Sequence, residues 1–241
     1  PKYRLLIPLS EEVLKDEYEA VCRMVASKIN IDAFDPTGYD VNRLMYWPST
    51  SSDGEFFYRE QAGEFLNPQE VLNLYADWKD IASWPQGISE HKEIHSFSRT
   101  QGDPLEKPGL IGVFNNAYTI TEAVETFLPD IYEPGEGYRF TYKLGSTYGG
   151  AVCYDEKFLY SHHSTDPISN KLCNAFDLVR IHKFGLEDND EETPINKRPS
   201  YLKMCDLVSS DLKCKKQIGL KIFSGITDEI EEVNTDWMGE L

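Results

Sequence analysis

Asp35, Asp40 and Arg43 lie close together in the stretch DPTGYDVNRLMYWPS, residues 35–49. Carboxylate oxygens are preferred ligands of Mg²⁺ and Mn²⁺, so Asp35 is a candidate metal ligand. The same residue opens Asp-Pro-Thr-Gly, which has the composition of a type I turn. Arg43 can in turn form a local ion pair with Asp40. Residue types alone leave both interpretations open.

His162 and His163 are the second candidate site, because they stand between Cys153 and Cys173 in the pattern C-x₈-H-H-x₉-C. Histidine and cysteine are the usual zinc ligands, but the tight C-x₂₋₄-C spacing of structural zinc sites is missing. The alternative is a histidine pair at the end of a strand, followed by a turn at residues 165–166.

Basic and aromatic residues offer possible nucleic-acid contacts. Lys213, Lys215 and Lys216 form a basic cluster, which is either a DNA contact or a solvated helix face. Tyr46 and Trp47 alternate across a predicted strand, so one of the two faces the core and the other faces away from it. An exposed aromatic ring there could stack on a base.

The composition excludes several classes of protein. The chain has 241 residues, 40% of them apolar, and a formal charge of −17. This charge argues against a generic basic nucleic-acid binder. No apolar run approaches the roughly 18 residues of a membrane span, so we expect no membrane partner. Five scattered cysteines without C-x-x-C favour a reducing compartment, and we expect a cytoplasmic protein.

The elements that would position these residues follow from hydrophobic periodicity and capping signals. Strands and helices are interleaved without a regular βαβ order, which predicts an α+β fold. The first half is expected to contain a buried strand at 3–9, an amphipathic helix from Ser10 to about residue 29, paired strands at 43–47 and 55–59, and a helix from Asn67 to about Trp78.

The second half opens with a Thr-x-x-Glu helix start at Thr119. Three strands should follow it, at 138–143, 150–154 and 157–160, the last two forming a hairpin. Helices are then expected at 174–183 and 200–223. The predicted domain division is 1–82, a polar linker at 83–109, a module at 110–227 and an acidic tail at 228–241.

The stretch from Tyr3 to Trp78 resembles the C-terminal half of a primase-polymerase domain of the archaeo-eukaryotic primase superfamily, in the version found in virulence-associated protein E of phages and prophages. The match is carried by YRLLIPLS, FDPTGYDVNRLMYWPS and STSSDGEFFY. Residues from Glu122 to Gly185 resemble the region before the helicase of the same proteins. This resemblance implies an incomplete primase-like sheet with helices, followed by a small mixed module with a three-stranded antiparallel sheet.

The resemblance also implies roles for individual residues. Nucleotidyl transfer uses carboxylates to hold two divalent ions about 3.5–4 Å apart. Asp35 would be one metal ligand, for Mg²⁺ or Mn²⁺, and Arg43 would contact nucleotide phosphates. Arg4, Asp40 and Tyr46 would be further nucleotide or DNA contacts. The implied partners are single-stranded template DNA, nucleotides and a downstream helicase domain.

The chain departs from the family pattern in one important respect. The family's Asp-x-Asp and Ser-x-His motifs should precede Tyr3 and do not occur in this sequence at that place. We therefore expect this chain alone to be catalytically inert and to bind no metal tightly. The alternatives are a non-catalytic module that binds single-stranded DNA or a replication partner, and an acidic DNA mimic that acts as an inhibitor.

Overall fold

The computed structural model describes residues 3–44, 46, 49–88, 90, 100–190, 192–220 and 222. Helices and an antiparallel sheet occur together without parallel βαβ units, so the predicted α+β class is confirmed. Within these residues, no helix is both long enough and apolar enough to cross a membrane.

The helices lie in both halves of the chain, whereas the sheet lies in the second. The helices are α1 Lys15–Ile29, α2 Pro68–Leu72, α3 Gly109–Ala117, α4 Ile120–Phe127, α5 Ala175–Phe184 and α6 Pro199–Ser210; residues 212–220 are also helical. The strands are β1 Tyr132–Pro134, β2 Arg139–Tyr142, β3 Ala151–Tyr154, β4 Phe158–Ser161 and β5 Leu172–Asn174.

The sheet is an antiparallel meander with the strand order β1-β2-β3-β4-β5. Its middle strands β2, β3 and β4 are the three that the sequence predicts, and the β3–β4 hairpin turns at Asp155 and Glu156, both with positive φ. The strands β1 and β5 were not predicted and extend the expected three strands to five. Each has three residues, which is too short for an alternation pattern to be recognised.

The helix starts follow their capping residues. The Asn67 side chain accepts hydrogen bonds from the amides of Gln69 and Glu70 at the start of α2. At α4 the Thr119 hydroxyl accepts from the Glu122 amide at 3.2 Å, and the Glu122 carboxylate accepts from the Thr119 amide at 3.1 Å. These caps satisfy amides that have no partner within the helix.

Two helix boundaries differ from the prediction. The first helix begins at Lys15 rather than after Ser10, and the Glu17 carboxylate accepts the amide hydrogen of Leu14 there at 2.8 Å. The helix that starts at Asn67 ends at Leu72, well before Trp78. The segment after it turns instead, and Trp84 Nε1 donates to the carbonyl of Trp78 at 2.6 Å.

The strands predicted in the first half are absent from the described residues. Around residues 3–9, a single bridge joins Leu9 to Leu66, and no strand forms at 55–59. Residues 43, 44 and 46 are not in a strand either, and the rest of 43–47 lies outside the described residues. The apolar alternation is present, but within the described ranges no neighbouring strand takes the backbone hydrogen bonds of these segments. Their side chains are exposed accordingly: Tyr3 75%, Leu6 73%, Tyr46 74% and Phe57 70%.

Two hydrophobic clusters form the core. One brings together Ala20, Val21 and Met24 of α1 with residues 71–84. The larger one lies between the sheet and helices α3 to α6, with Phe114, Leu159 and Phe176 fully buried. The predicted division near residues 83–109 falls between these clusters and stays a prediction, since much of that segment and all of 228–241 lie outside the described residues.

Candidate functional site

Asp35 is the N-terminal residue of a short 3₁₀ turn, Pro36–Tyr39. Its Oδ1 accepts hydrogen bonds from the Thr37 amide at 3.0 Å and from the Thr37 hydroxyl at 2.7 Å. This is the capping geometry that aspartate favours at such turns. The side chain is exposed.

Asp40 and Arg43 follow this turn and line one wall of a cavity of about 180 Å³. Asp40 Oδ1 accepts from the Asn42 amide at 2.9 Å, and the Arg43 amide donates to the Asp40 carbonyl at 2.9 Å. The side chains of Asp40 and Arg43 do not form the local ion pair that the sequence suggested. The Arg43 guanidinium therefore remains exposed at the cavity wall.

The second half of the chain contributes Tyr160 at the end of β4, and His162 and Asn170 after it, to the same lining. The rings of Tyr160 and His162 meet edge to face with centroids 4.8 Å apart, and the Tyr160 hydroxyl donates to Asn170 Oδ1 at 3.3 Å. The cavity thus lies between the two halves of the chain, and neither half forms it alone.

A buried charge cluster lines the cavity on the side of α1. Arg23 pairs with Glu19 at 2.9 Å and with Glu90 at 2.8 Å. Burial raises the pKa of Glu19 from 4.5 to about 7, against the lowering effect of Arg23. The physical reason is that one guanidinium cannot fully compensate two desolvated carboxylates.

Tyr39 is the residue of this site with an unsatisfied polar group. It is 5% exposed, and the Arg23 guanidinium lies over its ring at 4.8 Å from the centroid. Its hydroxyl is buried and has no hydrogen-bond partner among the described residues. Buried hydroxyls without partners are uncommon in folded proteins, so this one calls for an explanation.

Arg4 and Tyr46, the other predicted contacts of the first half, lie outside the lining of this cavity. Arg4 donates from Nη1 to the backbone carbonyl of Tyr46. Nearby, Tyr3 and Phe57 meet edge to face with ring centroids 6.3 Å apart. The structure therefore brings the Arg4 side chain to the backbone of Tyr46, and neither residue belongs to the cavity lining that includes Asp40 and Arg43.

The histidine pair divides into two environments. His162 lines the cavity, whereas His163 is fully buried, and burial lowers its pKa. His163 Nδ1 contacts the Thr147 hydroxyl at 2.9 Å, and Nε2 accepts from the amides of Tyr142 and Gly150, both at 3.2 Å. Both ring nitrogens of His163 are thereby engaged, and zinc binding by the pair stays a prediction without geometric support.

The basic cluster is partly neutralised. Lys213 pairs with Glu122 at 2.8 Å and lies over the Tyr118 ring at 4.5 Å from the centroid. Lys215 and Lys216 are exposed on the same helical segment. A DNA contact by these lysines stays a prediction, and Lys213 is the least suited of the three because its charge is already paired.

Sequence reasoning missed the polar residues that join the halves. Asp16 of α1 is 4% exposed and accepts hydrogen bonds from the hydroxyls of Ser146 and Ser164. Sequence reasoning also missed Asp166. Its carboxylate accepts a hydrogen bond from Tyr132 Oη at 2.7 Å and lies 3.4 Å from His182 Nε2. A charged stripe at residues 16, 19 and 23 was the available signal, but such stripes usually face solvent.

Metal ligands are not clustered in the part of the chain that the structure describes: no group of three or more histidine, cysteine, aspartate or glutamate side chains could hold an ion. Asp35 belongs to no such group among the residues that were described. The residues present therefore do not by themselves form a two-ion cradle of the kind that nucleotidyl transfer uses.

Comparison with known families matches residues 1–87 to the family model of the VapE N-terminal domain. The matched segment includes the Asp35–Arg43 turn and the first hydrophobic cluster. No curated protein and no solved structure matches the chain. The first 87 residues are thus similar to the N-terminal domain of VapE-type proteins.

Proposed function

We propose that this chain is part of a VapE-type phage replication protein and derives from a primase-polymerase. The match of residues 1–87 to the VapE N-terminal domain carries this proposal. In such a protein the partners would be single-stranded template DNA, nucleotides and a helicase domain of the same polypeptide.

The arrangement of the Asp35 turn supports a role for this segment in nucleotide chemistry. Divalent ions bound at the site would activate the attacking hydroxyl and neutralise the triphosphate. Asp35 would provide one carboxylate to hold them, in a turn that its own hydrogen bonds to Thr37 keep ordered. Arg43, whose guanidinium forms no ion pair with an acidic residue of the described part of the chain, would bind phosphate oxygens.

The Asp-x-Asp and Ser-x-His motifs are not found before Tyr3 in this sequence, and this limits the nucleotidyl transfer expected of the chain alone. One exposed carboxylate offers too few ligands to hold two ions close together, because each ion needs several oxygen ligands. The chain alone should therefore be inert, and activity should require polypeptide that provides the acidic pair.

A dinucleotide-synthesis assay tests this proposal. The chain of 241 residues is compared with a polypeptide extended by the coding sequence upstream of it, each with Mg²⁺ or Mn²⁺ and labelled nucleotides on a single-stranded template. We expect metal-dependent product from the extended polypeptide and none from the chain alone. An extended polypeptide that contains the acidic pair, folds and forms no product would argue against primase ancestry.

The exposed aromatic side chains near Arg4 favour a second candidate, a module that binds single-stranded DNA without chemistry. Tyr3, Tyr46 and Phe57 are exposed beside Arg4. Aromatic side chains stack on bases with about 1–3 kcal/mol per base, and an arginine can neutralise a phosphate.

Fluorescence anisotropy with a labelled single strand at two salt concentrations tests this candidate. Binding that falls steeply with salt and weakens in Phe57→Ala would support it. Leu212→Ala, which removes an exposed apolar side chain of the second half, is the matched control. Absence of binding at low salt would exclude it.

A further inference from the structure

Residues 3–9 and 55–66, which we call the open segments, form neither helix nor strand. A parallel bridge joins them at Leu9 and Leu66, where Leu66 both donates and accepts a backbone hydrogen bond at 2.9 Å. Away from this bridge, the backbone N–H and C=O groups of the open segments have no backbone partner among the described residues. Both segments are exposed except at the bridge, so they present unpaired backbone edges to solvent over most of their length.

The side chains of the open segments are those that favour strands. The rings of Tyr3 and Phe57 meet edge to face, so the segments also touch away from the bridge. The large apolar side chains that face solvent are Tyr3, Leu5, Leu6, Ile7, Phe56, Phe57, Tyr58 and Phe65. Aromatic and β-branched residues favour strands because they pack well on a pleated surface. An unpaired backbone edge with such side chains is a template for one more strand.

Acidic side chains outnumber basic ones around the open segments. Residues 3–12 and 53–64 contain two basic residues, Arg4 and Arg59, and both are exposed. The same ranges contain six exposed acidic residues: Glu11, Glu12, Asp53, Glu55, Glu60 and Glu64. This excess of negative charge repels a phosphate backbone and attracts lysine and arginine side chains. At the open segments it therefore favours a basic protein segment over single-stranded DNA.

We propose that a basic, extended segment of a partner protein adds to the open segments as a β-strand. Backbone hydrogen bonds hold a strand added in this way, and its side chains give specificity. The apolar side chains of the partner would cover the exposed rings, and its basic side chains would pair with the surrounding carboxylates. Residues 55–64 contain no proline, whereas Pro8 interrupts the other open segment, so the added strand pairs with residues 55–64.

Fluorescence anisotropy of the full chain with a labelled peptide tests this proposal. The peptide has about eight residues, in which valine or threonine alternates with lysine. We expect saturable binding, at least about tenfold tighter than with glutamate in place of lysine, because attraction to the carboxylates becomes repulsion. Methylation of all backbone nitrogens of the peptide should abolish binding. No saturable binding of the lysine peptide, or equal binding of its methylated form, would overturn the proposal.

Proline substitutions test whether the backbone of residues 55–64 makes the contact. The N–H groups of Phe57 and Tyr58 point to opposite edges of an extended segment. Proline removes the N–H group, so one of Phe57→Pro and Tyr58→Pro should bind the lysine peptide at least about fivefold more weakly than the alanine variant at the same position. If neither proline variant binds more weakly than its alanine counterpart, the proposed strand pairing is wrong.

Ser52→Pro is the matched control for these variants. The Gly54 amide donates to the Ser51 carbonyl at 3.0 Å, so Ser52 holds the second position of a turn. Proline is favoured at that position. Ser52→Pro should therefore bind the lysine peptide as the wild type does, and weaker binding by this variant would show that the effect of proline is not confined to the proposed edge.

Hydrogen exchange and a DNA competitor complete the test. The lysine peptide should slow exchange at amides of residues 55–64, and protection confined to other residues would contradict the proposal. Oligothymidine that binds under conditions in which the lysine peptide does not would assign the surface to single-stranded DNA instead. The peptide titrations are made in EDTA, whereas dinucleotide synthesis requires a divalent ion, so this proposal and the proposed function fail separately.

Discussion

Asp35 uses one carboxylate oxygen for two hydrogen bonds to Thr37, and these hold the turn that leads to Asp40 and Arg43. Such a contact defines a structural role whatever the chemistry of the parent protein. A metal role would come in addition to it. The two roles can be separated because asparagine caps a turn as well as aspartate does but is a much weaker ligand for a divalent cation.

The first prediction concerns this cap. Asp35→Ala should lower the free energy of unfolding by about 1 kcal/mol, whereas Asp35→Asn should change it by a few tenths of a kcal/mol at most. Urea denaturation followed by tryptophan fluorescence measures both. Equal destabilisation by the two substitutions would show that the charge, rather than the hydrogen bond to Thr37, stabilises the turn.

Glu19 is a buried carboxyl whose pKa is raised to about 7, with burial as the largest cause. The folded state therefore binds a proton more tightly than the unfolded state does. The resulting stabilisation is fully present below the unfolded pKa near 4.5 and is lost as the pH rises toward 7.

The second prediction follows from the direction in which the stabilisation by Glu19 changes with pH. Glu19→Gln should remove a pH-dependent contribution of up to about 3 kcal/mol, so the variant should lose less stability than the wild type between pH 5 and about 8. Urea denaturation at several pH values measures the difference. Glu125→Gln, at an exposed position of α4, is the matched control. A variant with the same pH profile as the wild type would show that Glu19 is ionised throughout.

At the scale of elements, capping residues and turn signals predicted the helices and strands whose defining contacts join residues close in sequence. The caps at Asn67 and Thr119 gave the starts of α2 and α4 because their hydrogen bonds join residues two or three apart. The strands β2 to β4 were predictable because a hairpin joins two of them. The segments 3–9 and 55–59 have the same alternation, but a strand also needs a partner, which periodicity does not supply.

The residues of the cavity were less predictable than the helices. Arg43 and Asp40 were singled out from their own segment, whereas Tyr160, His162 and Asn170 reach them only through the packing of the second half. The contact of Asp16 with Ser146 spans 130 residues of sequence. Periodicity and spacing do not specify contacts of such separation.

The third prediction concerns the contact between elements at Gly150. A Cβ added there would lie in hard contact with Cδ1 of Ile81 and 3.0 Å from His163 Nε2. Ile81 is buried and His163 is fixed by its hydrogen bonds, so neither can move easily. Gly150→Ala should lower the free energy of unfolding by about 1–3 kcal/mol.

The matched control is Gly63→Ala, since a Cβ at Gly63 meets nothing within 4 Å. Denaturation curves of the two variants give the comparison. Equal stability of Gly150→Ala and Gly63→Ala would mean that Ile81 and His163 do not approach Gly150 as closely as described.

At the scale of the whole molecule, two hydrophobic clusters are connected largely through polar contacts. Asp16 of α1 accepts from Ser146 and Ser164, and the Ile81 amide donates to the carbonyl of Tyr148. The cavity is lined by residues of both halves, Arg43 of the first and Tyr160 of the second among them. A ligand bound there contacts both halves and should stabilise their arrangement by mass action.

The charge of −17 limits how such a molecule meets nucleic acid. Long-range attraction to a phosphate backbone is not expected from the net charge, so the proposed nucleic-acid binding would depend on local groups such as Arg4 and Arg43. In the proposed replication protein, other segments would provide most phosphate contacts.

The proposed ancestry is tested most directly by measuring dinucleotide synthesis with the upstream-extended polypeptide carrying Asp35→Asn, beside the same polypeptide carrying Asp53→Asn. Asp53 lies in an exposed turn outside the cavity lining and is the matched acidic control. We predict that Asp35→Asn abolishes metal-dependent synthesis while its unfolding curve stays that of the wild type, and that Asp53→Asn keeps full activity. Undiminished synthesis in Asp35→Asn would contradict the assignment of Asp35 as a metal ligand.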